Sequence, residues 1–345
     1  MMWFFVSRKA VIIKINFSLI YINHIFILKK VYNHIRYKDK EGTMNIQINI
    51  LKFFQSIRNP ILNALFLILT ISTETPVIVI LIAIMYWCIN KKYGQKLLFT
   101  LIPNIVINTG IKEFVKAPRP IGTAGLESLR VSTATGYSFP SGHTQTATTF
   151  WTSLIIIFKK KWIYILGSVM ILGVGVSRLY LGVHWPIDVI AGWIFGILFT
   201  VIFAKIFDIV DENKNYKLLL LVLIPFIIFI FIVKSESYIK MFGLLVGFVL
   251  GYIIEDSFIK FKTIDDYKKE VNFSSKVDTK VDTNKGYIVK SAYRFILGIF
   301  TLLAVYLVLK YIMPEYVLFN FIRYLIISLY AVAGVPALFK ISKLA

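Results

Sequence analysis

The chain has 345 residues, 57% hydrophobic and only 17% charged, with a mean hydropathy of +0.73. Water-soluble domains carry about 45–50% apolar residues and about 25% charge, so this balance excludes a disordered chain, a secreted disulfide scaffold and an ordinary soluble enzyme, and it points to a polytopic membrane protein. The net charge of +21 fits loops and anionic-lipid contact in such a chain rather than nucleic acid, and the single cysteine, Cys88, lies in an apolar run, which excludes an intrachain disulfide and a cysteine metal cluster.

Residues 1–43 come first. Their apolar run 10–28 is interrupted by Lys14, Asn16 and His24, and it lacks the clean core and small-residue cleavage site of a signal peptide. Lys40-Glu41-Gly42 can be encoded by a bacterial ribosome-binding sequence, so Met44 is the expected start of translation; an eleventh helix is the alternative. Apolar stretches then predict helices near 56–72, 75–90, 97–111, 141–158, 162–179, 186–205, 217–233, 238–254, 292–313 and 317–339. A membrane barrel would alternate apolar and polar residues, so strands are not expected. The expected fold is an all-α polytopic bundle. Residues 44–210 form a core of six transmembrane helices, and 211–345 form a C-terminal membrane region of four. The charged stretch 255–291, with its repeat Val277-Asp278-Thr279-Lys280 and Val281-Asp282-Thr283-Asn284, reads as a solvated linker.

Lysine placement orients the expected bundle. Lys91, Lys92 and Lys96 follow the second span, Lys159, Lys160 and Lys161 follow the fourth, and Lys340 and Lys343 lie at the C-terminus. Counting spans puts all of them on one face, which the positive-inside rule assigns to the cytoplasm. Segments 112–140 and 180–186 then face outward. The first of these is also basic, with Lys112, Lys116, Arg119 and Arg130. A bound anion would explain that exception.

Three clusters carry chemistry: Lys112 with Arg119-Pro120; Pro140-Ser141-Gly142-His143; and Ser177-Arg178 with His184 and Asp188. All three fall at the outer ends of expected helices. Of four histidines, His24 and His34 lie in the N-terminal segment, so from Met44 onward only His143 and His184 remain. A lone histidine is usually a structural hydrogen-bonding group. Two histidines, each beside helix-end cations, weaken that explanation.

The ordered pattern K-x6-RP, PSGH, SR-x5-H-x3-D over about residues 50–207 resembles the type 2 phosphatidic acid phosphatase superfamily, which also contains vanadium haloperoxidases and glucose-6-phosphatase. Each motif alone is moderately specific; the ordered triple is highly specific. The four spans after residue 210 exceed the six-helix core of that family.

The residue types suit phosphate chemistry. A phosphate monoester is close to a dianion and needs several cations around its oxygens; Lys112, Arg119 and Arg178 supply three. Arg119 is stiffened between Pro118 and Pro120, whereas Lys116 and Arg130 could equally snorkel to headgroups and stay unassigned. Ser141 and Gly142 precede a helix start, where free N–H groups bind anions and glycine permits close approach. His184 and Asp188 are four apart at another helix start, so the carboxylate can accept the Nδ1 proton and leave Nε2 free to attack phosphorus. The resemblance implies the same roles: His184 forms a phosphohistidine, Asp188 orients it, and His143 protonates the leaving oxygen and later activates water.

No metal or cofactor is expected, because the sequence offers no HExxH, cysteine cluster or Walker A pattern. The expected activity is metal-independent hydrolysis of a membrane lipid phosphate or diphosphate at the extracytoplasmic face. Undecaprenyl diphosphate is favoured over phosphatidylglycerophosphate, phosphatidic acid and sphingoid phosphates. Alternatives are a lipid-to-acceptor phosphotransferase and a non-catalytic lipid-phosphate binder or transporter. Haloperoxidase chemistry fits a headgroup-facing pocket least. The expected partners are the lipid substrate and membrane lipids, without nucleic acid.

Overall fold

A segment inside a bilayer must satisfy its own backbone polar groups, and helices do so without a neighbour. The computed structural model describes residues 42–263 and 282–344, and these residues hold helices and no strand. The elements are α1 (Gly42–Ser56), α2 (Pro60–Ile71), α3 (Thr75–Ala83, continued as a π turn over Ile84–Ile89), α4 (Lys91–Val115), α5 (Gly142–Phe158), α6 (Lys161–Tyr180), α7 (Pro186–Asn213), α8 (Tyr216–Val233), α9 (Glu236–Ile254, with a π turn Glu255–Ile259), α10 (Asp282–Ile312), α11 (Val317–Leu329, with a π turn Tyr330–Gly334) and α12 (Val335–Ile341).

Each of the ten expected helices is present, and the fold is the expected all-helical polytopic bundle. The span count differs. Among the described residues, seven helices are long and apolar enough to cross a membrane, or eight if the bent pair α1–α2 counts as one. The helices expected at 75–90 and 141–158 are α3 and α5, which are not among the seven. The linker expected at 255–291 is shorter than expected, because 255–259 prolongs α9 and 282–291 opens α10. Its middle, 264–281, lies outside the described residues, as do residues 1–41 with the expected N-terminal extension.

Helix α1 was not expected. It meets α2 at 118°, across a break where the Asn59 side chain caps Leu62 N at 3.0 Å and Pro60 opens the next helix. Its Leu51 is buried in a cluster with Leu179, Trp185 and Val189, so α1 lies across the tips of α6 and α7.

Helix α4 is the most enclosed span, with 67% of its apolar window buried, so its polar side chains need partners inside the bundle. Thr100 pairs with Ser153 at 2.7 Å, and Gln145 joins Asn104 and Asn108 at 2.8 Å each. These bonds lock α4 to α5. In the C-terminal region, Gly243 and Gly247 on α9 let α11 approach to backbone contact. A Cβ at Gly247 would lie 2.1 Å from the Leu325 carbonyl oxygen, and one at Gly243 would lie 2.4 Å from that of Phe321. This is small-xxx-small packing between apolar helices.

Candidate active site

Helix ends, not helix middles, carry the chemistry-bearing residues, and chain direction brings those ends together. Lys112 is in the last turn of α4 and Arg178 in the last turn of α6. His143 and Asp188 are in the first turns of α5 and α7, with Arg119 and His184 in the connecting loops. The basic starts of α4 and α6, at Lys91, Lys92 and Lys161, therefore lie at the opposite end of the bundle.

Backbone bonds join the segments. Ser138 N donates to Ala117 O at 2.8 Å, and Ser141 N donates to Asp188 O at 2.9 Å. The peptide between Phe139 and Pro140 is cis. Lys112 Nζ donates to the Tyr137 carbonyl. Arg119 spreads its guanidinium over Gly136 O (3.0 Å), Thr135 O (2.7 Å) and Val183 O (3.0 Å). The fourth contact of Arg119 is Nη1 to His184 Nε2 at 2.9 Å.

That contact fixes the histidine's chemistry. A guanidinium has no acceptor, so His184 Nε2 presents its lone pair and Nδ1 carries the proton. Nδ1 lies 3.3 Å from Asp188 Oδ2. The same carboxylate oxygen accepts from Trp185 N at 2.8 Å and from the Ser138 hydroxyl. An acidic residue at the third helical position reaching back to the cap N–H is ordinary helix-start chemistry; here it also aims a carboxylate at an imidazole. His184 is 1% exposed. Burial first, and then the positive charges of Lys112, Arg119 and Arg178, hold its imidazole well below the usual range, so the ring is neutral at physiological pH.

A cavity of about 400 Å³ opens over this group. Lys112, Arg119, Gly142, His143 and His184 all line it. Arg178 is fully buried beside it. Its Nη1 donates to Thr70 Oγ1 at 2.6 Å, while Nε and Nη2 have no partner among the described residues. Unpartnered buried donors on a guanidinium are a place for anion oxygens. Gly142 lines the cavity at the start of α5, and a Cβ there would meet Asn108 Oδ1 at 3.5 Å and Lys112 Cε at 3.9 Å.

Of the eight residues expected at the site, five line the cavity and Arg178 and Asp188 back it. Ser141 sits differently. Its N–H is held by Asp188 O and its hydroxyl accepts from Thr144 at 2.9 Å, so it ties α5 to α7. Of the two unassigned cations, Arg130 pairs with Glu74 at 2.7 Å at the cavity wall, and Lys116 is exposed at the end of α4. Sequence reasoning missed Ser138, Thr70 and Glu74. Ser138 precedes the PSGH motif by only two residues, and a serine so close to the cluster was the available signal. Among the described residues no group of three or more His, Cys, Asp or Glu side chains is placed to hold a metal.

Comparison with known proteins agrees with this geometry. The PAP2 superfamily model matches residues 94–212, and the model described as PAP2 superfamily phosphatase, transmembrane extension, matches 239–345. An undecaprenyl-diphosphatase of Sulfolobus acidocaldarius is 36% identical over 107 residues, 31% of this chain and 52% of that protein. Sphingosine-1-phosphate phosphatase 1 of Rattus norvegicus is 29% identical over 40% of this chain and 34% of its own length. The chain thus spans about half of the first relative and a third of the second. Phosphatidylglycerophosphatase B of Bacillus subtilis is 30% identical over 41% of this chain and 70% of its own length. A crystal structure of a transmembrane PAP2-type phosphatidylglycerolphosphate phosphatase from Bacillus subtilis superposes with a TM-score of 0.43 at 23% identity, covering 56% of this chain and 96% of that one. With the three motifs meeting at one cavity, both family models matched and a 30% identical relative covered over 70% of its length, the chain belongs to the PAP2 superfamily and carries that superfamily's transmembrane extension.

Proposed function

We propose that the protein is a membrane phosphatase that hydrolyses lipid phosphates or diphosphates through a phosphohistidine, without a metal, at the extracytoplasmic face. The observation that carries this reading is one cavity lined by both histidines together with Lys112 and Arg119. Lys112, Arg119 and the free N–H groups of Arg178 take the phosphate oxygens, as a developing charge requires. His184 Nε2 attacks phosphorus while Nδ1–H stays on Asp188. The P–N bond forms as the P–O bond to the lipid breaks, and His143 gives its proton to the leaving oxygen. Water then attacks the phosphohistidine, His143 takes its proton, and the P–N bond breaks to release phosphate and free His184. A general acid of this kind contributes about 10²–10⁴-fold.

A polyprenyl diphosphate is the favoured substrate, in line with the name of the Sulfolobus relative; relatives named for phosphatidylglycerophosphate and lipid A mark the neighbouring possibilities. The lysines at the far end of the bundle support the outward orientation, by the positive-inside rule. The test is phosphate release from a panel of lipid phosphates by wild-type protein and His184→Ala. Release by the wild type and essentially none by the variant is the expected result. Near-normal turnover by His184→Ala would overturn the nucleophile.

A further inference from the structure

A second cavity, of about 380 Å³, opens below the first, and Thr73, Thr75, Gly142 and Thr146 line both. Its character is different. From the shared threonines it runs down α3 past Ile78 and Ile82 to Tyr86 and Trp87. Tyr86 lies eleven positions along the helix from Thr75, about 16 Å at 1.5 Å per residue. The amides at its edge, Asn104, Asn108 and Gln145, are already bonded to one another, so the wall offers little to a polar ligand.

The far wall is built by the C-terminal region. Leu244, Leu302, Ile327, Ser328, Ala331 and Val332 line it, and all lie within the transmembrane extension matched over 239–345. The wall is fastened to the core. Tyr86 Oη donates to Val332 O at 2.7 Å, and Trp87 Nε1 donates to Ala331 O at 3.3 Å.

We infer that this cavity receives the hydrocarbon tail of the substrate whose phosphate lies among Lys112, Arg119 and His184, and that the C-terminal extension sets the tail length accepted. The inference rests on the lipid-phosphatase reading of the first cavity. It gives the extension a role in specificity, because one molecule with an anionic head and a long apolar chain matches two joined cavities of those two characters. An apolar chain in a preformed apolar slot is held by area removed from water. Residues that shorten the slot therefore discriminate by chain length.

The experiment uses full-length protein in nanodiscs and a series of alkyl monophosphates from butyl to hexadecyl. Wild type shows kcat/KM rising with chain length. Ala331→Phe and Ser328→Phe lower the ratio of hexadecyl to butyl kcat/KM about tenfold or more, the scale of pocket discrimination between apolar groups. An unchanged ratio, with both substrates unaffected or falling together, overturns the inference. In parallel, hexadecyl phosphate bearing a terminal diazirine is photolysed on wild-type protein, and the adducts are mapped. Label on Leu302, Ile327 or Ala331 supports the tail site whether or not the variants fold, and label confined to the lipid-facing residues of α6 overturns it. Label in the slot without phosphate release from any substrate sinks the phosphatase reading alone. Phosphate release with label elsewhere sinks the tail site alone.

Discussion

Arg119 Nη1 stands 2.9 Å from His184 Nε2, so in the proposed mechanism the cation that grips the phosphate already touches the atom that attacks it. One guanidinium would thereby align the lone pair and mark where the proposed phosphate arrives. Three backbone carbonyls hold the rest of the fork in place. Lysine cannot reproduce a planar fork. Arg119→Lys is expected to lose about 10²–10³ in kcat/KM, the scale of a removed oxyanion donor, and His184→Ala at least about 10⁴. Phosphate release from a lipid phosphate measures both, and a variant within a factor of three of wild type would contradict its assignment.

In the proposed mechanism Asp188 and Ser138 act through His184. Asp188→Asn turns a carboxylate acceptor into an amide and favours the wrong imidazole tautomer, so kcat should fall about 10²–10⁴-fold with KM little changed. Ser138→Ala removes one hydroxyl from that carboxylate. A loss of about 10–100-fold follows from the usual worth of a hydrogen bond to a charged group. Steady-state kinetics on the two variants checks the order; Ser138→Ala falling further than Asp188→Asn would reverse the assignment.

The acid limb of the pH profile has a defined sign. Protonation of His184 would occupy Nε2 and remove the nucleophile, and its environment holds that event well below the ordinary value of about 6.5. The acid limb of kcat/KM therefore lies below pH 6.5. Lys112 is one of the charges that depress the ring. Lys112→Met removes it and should move the limb upward on the same substrate, a comparison in which the substrate's own ionisation cancels. A downward move contradicts this electrostatic account.

Chelation and vanadate separate this mechanism from a metal-assisted one. Phosphate release is expected to persist after dialysis against EDTA and to be inhibited by vanadate, which takes up the five-coordinate geometry of the phosphorus in flight. Activity lost to EDTA and restored by Mg²⁺ would mean that a metal takes part in the step.

The contact between α9 and α11 predicts a stability effect far from the chemistry. Gly247→Val places a branched side chain where even a Cβ would lie 2.1 Å from Leu325 O. Overpacking costs about 1–3 kcal/mol and can exceed this where backbone must move. A lower Tm in detergent, read by tryptophan fluorescence, is the expected outcome; an unchanged Tm would mean that the two helices separate freely.

The sequence was most legible where periodicity and chemistry coincide. Ten apolar stretches became helices, and K-x6-RP, PSGH and SR-x5-H-x3-D met at one end of the bundle, because motifs at alternate helix starts and stops share a surface. It was least legible where tertiary contact decides. The hydrophobic spacing of Met44, Ile48 and Leu51 was visible, yet only packing on Leu179 and Trp185 makes α1 a helix across two tips. Ser141 read as a phosphate ligand, and its position in the sequence could not show that Asp188 O takes its amide. The far wall of the second cavity depends on α10 and α11 returning to α3, which no local pattern encodes.

The main-chain bond from Ser141 N to Asp188 O rivets the tip of α5 to the tip of α7. In the proposed mechanism His143, the proton donor, rides on one rod, and Asp188, which steadies the attacking ring, rides on the other. A single peptide-to-peptide bond thus sets how far apart those two groups stand. In the proposed reaction, donor and carboxylate are therefore held in register by backbone and not by side-chain placement alone.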